Sequence, residues 1–143
     1  MYERILVAID PSDARRTALS TAGEMARLTG AKVHVVHVVA STVAAGAVLV
    51  LEEEDEGQAI LKESLAALRD LGVQADGHLV RGLTPEVPAA ISAAAEDFKA
   101  DLMIISPHHR NSVSAFFNPR VSDAVAHGSR IDILLVSEGE AKQ

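Results

Sequence analysis

Hydrophobic positions in this chain fall into short dense runs separated by longer stretches in which they recur every three or four residues. Ile5-Leu6-Val7-Ala8-Ile9 is apolar at consecutive positions, as a strand covered on both faces requires, and Asp10-Pro11-Ser12-Asp13 closes it. From Asp13 to Leu28 the period changes. Ala14, Ala18, Leu19, Ala22, Met25 and Ala26 line one helical face, Arg15, Arg16, Glu24 and Arg27 lie between them, and Gly30 supplies a stop. Val33 to Val39 reads as a second strand with His34 and His37 embedded in it; three apart, they face opposite sides and form no local pair, and one of them is expected to be a core histidine. A second helix is predicted from about Glu54 to Leu71 on the stripe Ile60, Leu61, Leu65, Leu68 and Leu71, ended by Gly72. Val73 to Val80 alternates more than the other strands, which places it nearer a sheet edge.

Thr84-Pro85-Glu86 combines a capping hydroxyl, a first-turn proline and an acid suited to the helix dipole, and predicts a third helix running to about Lys99, with Pro88 still in the tolerated first turn. Leu102 to Ile105 is a fourth buried strand, followed by a polar loop from Ser106 to Phe117. Asn118-Pro119 then opens a short fourth helix through Ala126, stopped at Gly128, and Ile131 to Val136 is the last strand. Ser41 to Leu51 fits neither period. Its apolar part, Val43 to Leu51, is expected to be buried on its own sheet or against a partner, which makes it a secondary interface candidate. The polar tail, residues 138–143, is expected to fray.

Strict alternation of strand and helix predicts an α/β fold: one doubly wound domain over residues 1–137, a five-stranded parallel sheet with four helices on both faces. A length of 143 residues suffices for a core without staples. The absence of cysteine excludes a disulfide framework, a thiolate metal site and a cysteine nucleophile, and a reducing cytoplasm is the expected compartment. Thirteen Lys plus Arg against twenty Asp plus Glu give a net charge of −7, and aromatics are 3%, so neither the basic surface nor the stacking platform of a nucleic-acid binder is expected. The nine-residue apolar run falls far short of the ~20 residues that span a bilayer, and Asp10 interrupts the N-terminal run before an export signal forms; no membrane insertion is expected. The acidic run Glu52 to Glu56 reads as a solvated helix start.

Ligands of open parallel sheets collect beyond the carboxyl ends of the strands. Polar groups follow the first strand at Asp10 to Asp13 and the fourth at Ser106-Pro107-His108-His109-Arg110-Asn111. From here the chain resembles the universal stress protein family. The likeness covers nearly its whole length: ILVAIDPSD at the start, Val36-His37-Val38 ending the second strand, ADLMIIS at the fourth, and VSDAVAHGSRIDILLV at the end. The resemblance implies strand order 3-2-1-4-5 and a homodimer paired through the last strand, at Ile131, Ile133, Leu134, Leu135 and Val136. Independently, an apolar edge strand there would favour aggregation unless covered.

ATP-binding members of that family carry G-x-x-G-x9-G-[S/T] after the fourth strand. Laid on this chain without a gap, the motif falls on Ser106, His109, Pro119 and Arg120, so all four diagnostic positions differ. Side chains replace the glycines that let backbone approach phosphate, and Pro119 removes a donor. The usual triphosphate cradle is therefore expected to be lost, and no cofactor is expected. The resemblance also puts Asp10 near a nucleoside and Val38 at a backbone contact to adenine. Asp10 equally suits a helix-entry turn, and Val38 the core.

His108, His109, Arg110 and Arg120 form a local basic cluster, and with Val121 and Ser122 at the start of the fourth helix they leave open an anion site for ATP or a related nucleotide, with or without slow hydrolysis. Neighbouring histidines diverge, and no metal is expected. Ser106, Ser112 and Ser122 lack nucleophile-elbow glycines, so no catalytic constellation is expected. The function these observations predict is a stress-response regulatory or protective binding module acting as a homodimer on an unidentified protein partner. The alternative is a nucleotide-binding sensor using the substituted loop.

Overall fold

In the computed structural model, which describes residues 1–50, 53–106 and 131–137, the buried run at the N-terminus becomes the central strand of a sheet. The elements are β1 (Arg4–Ile9), α1 (Ala14–Thr29), β2 (Lys32–Ala44), β3 (Ala47–Val50), α2 (Glu54–Asp70), β4 (Ala75–Leu83), a 3₁₀ turn (Thr84–Glu86), α3 (Val87–Phe98), β5 (Leu102–Ile105) and β6 (Asp132–Leu135). Five strands are parallel and run β4-β2-β1-β5-β6, the order 3-2-1-4-5 when the parallel strands alone are counted. Helices cover both faces. Leu6, Ala8, Val36, Val38, Met103 and Ile105 pack against Ile91, Ala94 and Ala95 of α3. On the opposite face, Ile5, Val7, Ile9, Val35 and Ile104 meet Ala18, Ala22 and Ala26 of α1 and Leu61 and Leu68 of α2. Each large β1 side chain removed from water in this way contributes at most about 1.5–3 kcal/mol.

The difference from the sequence reading is β3. The segment that fitted neither period forms an antiparallel hairpin with the end of β2, Val43 opposite Val48, turned at Ala45 (φ 53°) and Gly46 (φ 78°). Two left-handed central residues are what a tight two-residue hairpin demands. Of the two expectations for this segment, burial on its own sheet does not hold for Val43 and Val48, which are 59% and 61% exposed. Ser41 pairs with Leu83 on one edge and with Val50 on the other, so β3 lies in the lane of β1, beyond its carboxyl end.

Three α-helices are present among the described residues, against four expected; the fourth, at 118–126, and the tail, at 138–143, lie outside them. Gly30 ends α1 in the left-handed conformation, its N–H bonded to the Ala26 carbonyl. The acidic run opens α2, with Glu54, Asp55 and Glu56 in its first turn and the Glu53 N–H donating to Glu56 Oε1 at 3.2 Å. The helix does not begin directly after Thr84 as expected. Residues 84–86 form a 3₁₀ turn, Glu86 turns back to accept the Leu83 N–H at 2.8 Å, and the helix begins at Val87 with Pro88 in its first turn. The alternating third parallel strand, β4, pairs only with β2 among the described residues and is an edge, as its pattern predicted. It runs to Leu83 rather than Val80.

Candidate functional site

Chain crossovers leave β1 toward β2 and arrive at β5 from β4, so the direction of winding reverses between β1 and β5 and opens a crevice beyond their carboxyl ends. The register Ala8 to Ile105 brings Asp10 and Ser106 to the ends of adjacent strands there. Both are buried, and both serve the fold. Asp10 Oδ1 accepts the Ser12 N–H at 2.9 Å and the Ser12 hydroxyl at 2.6 Å, an Asx turn that redirects the chain from β1 into α1. Ser106 Oγ donates to the Val136 carbonyl at 2.9 Å, joining the end of β5 to the end of β6. Val38 is fully buried on the α3 face. His108, His109, Arg110, Arg120, Val121 and Ser122 lie outside the described residues. The structure therefore brings Asp10 and Ser106 to one end of the sheet, with the β2–β3 hairpin extending past that end. Beside the hairpin, a cavity of about 460 Å³ is lined by Val39, Ser41, Val48, Glu53, Glu86 and the ion pair of Arg81 with Glu54.

At the expected pairing edge, β6 bonds only to β5 among the described residues. Ile131 and Ile133 pack toward the α3 face, Leu134 and Val136 toward the α1–α2 face, and Leu135 is 47% exposed.

A second cluster stands at the amino end of the sheet, on the α3 face, and the sequence reading missed it. The register sets His34 of β2 beside Asp76 of β4 and Val36 beside His78. His34 Nδ1 and Asp76 Oδ1 are 2.6 Å apart, and His34 Nε2 and His78 Nδ1 are 2.7 Å apart. Phe98, at the end of α3, stacks on the His34 ring at 5.0 Å and is held in turn by Arg4, whose Nε donates to the Phe98 carbonyl and whose guanidinium lies over the Phe98 ring. Burial, and then the neighbouring His34, push the His78 pKa below its ordinary value, against an opposing pull from Asp97 and Asp76. A cavity of about 330 Å³ opens beside the pair, lined also by Lys32, Gln74 and Asp97. His34 and His37 do face opposite ways, and His37 is the fully buried one. The partner of His34 is 44 residues on, and the only signal for it was the Asp-x-His spacing of Asp76 and His78, which puts both on one face of a strand.

Among the described residues, no three His, Cys, Asp or Glu side chains converge as ready-made metal ligands, and no helix is long and apolar enough to cross a membrane.

The sequence profile of the Universal stress protein family matches residues 1–137. Among solved structures, a universal stress family protein from Burkholderia pseudomallei is 23% identical, with 94% of this chain and 96% of that one covered and a TM-score of 0.72. The universal stress protein from Archaeoglobus fulgidus in complex with dAMP is 25% identical, covering 94% and 98%, with a TM-score of 0.68. A universal stress protein in complex with cAMP is 22% identical, covering 96% and 99%, with a TM-score of 0.71. No curated protein matches the chain.

Proposed function

This chain belongs to the universal stress protein family, and from that we propose that it is a stress-response binding module, working as a homodimer joined through β6 and lacking the triphosphate cradle of ATP-binding members. Its mode of action is docking of a protein partner rather than turnover. The observation that carries the reading is Ser106. It stands at the first glycine position of the phosphate loop, is buried, and gives its hydroxyl to the Val136 carbonyl. A residue bonded into the sheet in this way does not clear a path for phosphate to reach the backbone, and His109, Pro119 and Arg120 replace the remaining loop residues. Asp10 is likewise engaged in its own turn. The apolar edge of β6 supports the dimer, since a partner strand would cover it.

A second reading is favoured by the ligands of two structural neighbours, dAMP and cAMP. Each carries one phosphate and needs no triphosphate cradle. In that case Asp10, Val38, His108, His109, Arg110, Arg120, Val121 and Ser122 would line a site for a nucleoside monophosphate, with guanidinium groups taking the phosphate.

Native mass spectrometry of the purified chain separates the two. The proposal expects a dimer at bare mass that gains nothing when ATP or AMP is added. A dimer carrying one nucleotide per chain, with the adduct lost in Arg120→Ala, would replace it by the second reading.

A further inference from the structure

We propose that His34 and His78 form a two-imidazole site for a divalent transition-metal ion at the amino end of the sheet, with Asp76 as the carboxylate that orients His34. The hydrogen bonds fix which nitrogens are available. An Asp76 carboxylate 2.6 Å from Nδ1 accepts the proton of that nitrogen, so neutral His34 presents an unprotonated Nε2, and His78 Nδ1–H donates to it across 2.7 Å. Carboxylate, imidazole, then electrophile is the order in which histidine ligands are held in metal sites, the carboxylate setting the tautomer and raising the basicity of the donor nitrogen. Here a proton of His78 occupies the electrophile's place.

An ion replaces it without net loss of a proton. His78 moves its ring hydrogen from Nδ1 to Nε2 through water, which leaves a free lone pair on each of the two facing nitrogens. The two rings face each other nearly nitrogen to nitrogen, their centroids 4.9 Å apart, so an ion bonded to both at about 2.0–2.1 Å requires the His78 side chain to swing aside until its Nδ1 points at the ion rather than at His34 Nε2. His78 is able to do so because it is exposed on an edge strand, whereas His34 is clamped under Phe98. The 330 Å³ cavity, with Asp97 on its wall, admits the waters that complete coordination. Of the cations that share the wall, Arg4 is engaged with the Phe98 carbonyl and ring, and Asp76 and Asp97 balance the charge of Arg4 and Lys32. Two imidazoles select zinc, nickel or copper over magnesium and calcium, which require oxygen ligands.

The test is calorimetric titration of the untagged chain with Zn²⁺ at pH 7.5, beside imidazole NMR of the same samples. The expected result is one ion per chain, shifted ring resonances for His34 and His78, no response to Mg²⁺, and unchanged binding in His108→Asn/His109→Asn. Affinity should fall about 10- to 100-fold in Asp76→Asn and by at least that much in His34→Asn or His78→Asn. Absence of saturable binding up to about 1 mM, a Kd too weak for a two-imidazole site, would overturn the proposal. So would Zn²⁺ that shifts His108 and His109 instead of His34 and His78. The NMR measurement uses the unaltered chain and holds even if a His34 variant fails to fold.

Discussion

Gly77 has no room for a side chain. A Cβ there would press into the Val35 carbonyl oxygen and come within 3.1 Å of the Val35 and Leu61 side chains, where β4, β2 and α2 meet. Backbone cannot yield as a flexible side chain would, so Gly77→Ala is expected to cost about 1–3 kcal/mol, read as a lower midpoint in urea with the slope unchanged. One position on, His78 carries a pH dependence. Burial and His34 disfavour its charged form in the fold, lowering its pKa from 6.5. The unfolded chain therefore takes up its proton first as pH falls. The stability this confers is complete above the unfolded value and is lost as pH drops through the folded one. In the presence of a chelator, melting temperature should fall more steeply between pH 7 and 5 in the wild type than in His78→Gln, and parallel curves would refute the assignment. Residues whose roles are local were open to reading from sequence. Asp10, two positions before Ser12, was already a turn candidate, and its Asx turn is a matter of nearest neighbours. His78 was not, because its role depends on a register between strands that no local pattern encodes.

The same division holds among elements. Strands buried on both faces and helices stopped by Gly30 or Gly72 were legible, since burial and left-handed stops leave plain marks on the chain. The β2–β3 hairpin was not. Its turn, Ala45-Gly46, lacks the asparagine or aspartate that usually announces such a turn, and Val43 and Val48 imitate a buried run while standing in solvent. Ala45 at φ 53° is strained as an L-residue without a polar side chain. Ala45→Asn should relieve this and stabilise the protein by about 0.5–1 kcal/mol, seen as a rise of roughly 2–4 °C in thermal melting. A fall would mean that the turn relaxes in solution to a geometry that suits alanine. Thr84 shows the complementary error. Every local sign of a helix cap was present, but Glu86 folds back on Leu83 and delays the helix to Val87.

For the whole molecule, a parallel sheet covered on both faces followed from alternation, while the strand order 3-2-1-4-5 followed only from the family resemblance. Dimerisation belongs to this scale. A charge at Leu135, exposed on β6, should leave the fold intact and oppose strand pairing, so in sedimentation the wild type is expected to run as a dimer and Leu135→Glu as a monomer. Equal masses for the two would remove β6 from the interface. The position of β1 has a consequence for how the protein is made. Within this domain the first strand to be synthesised is the middle of the sheet, with Ile5 paired to Val33 on one side and to Leu102 on the other. During translation β1 can acquire its β2 neighbour early, but its other edge stays open until β5 has been synthesised and released from the exit tunnel. For most of this domain's synthesis the nascent segment thus displays a bare apolar strand, the period in which a chaperone would be needed most.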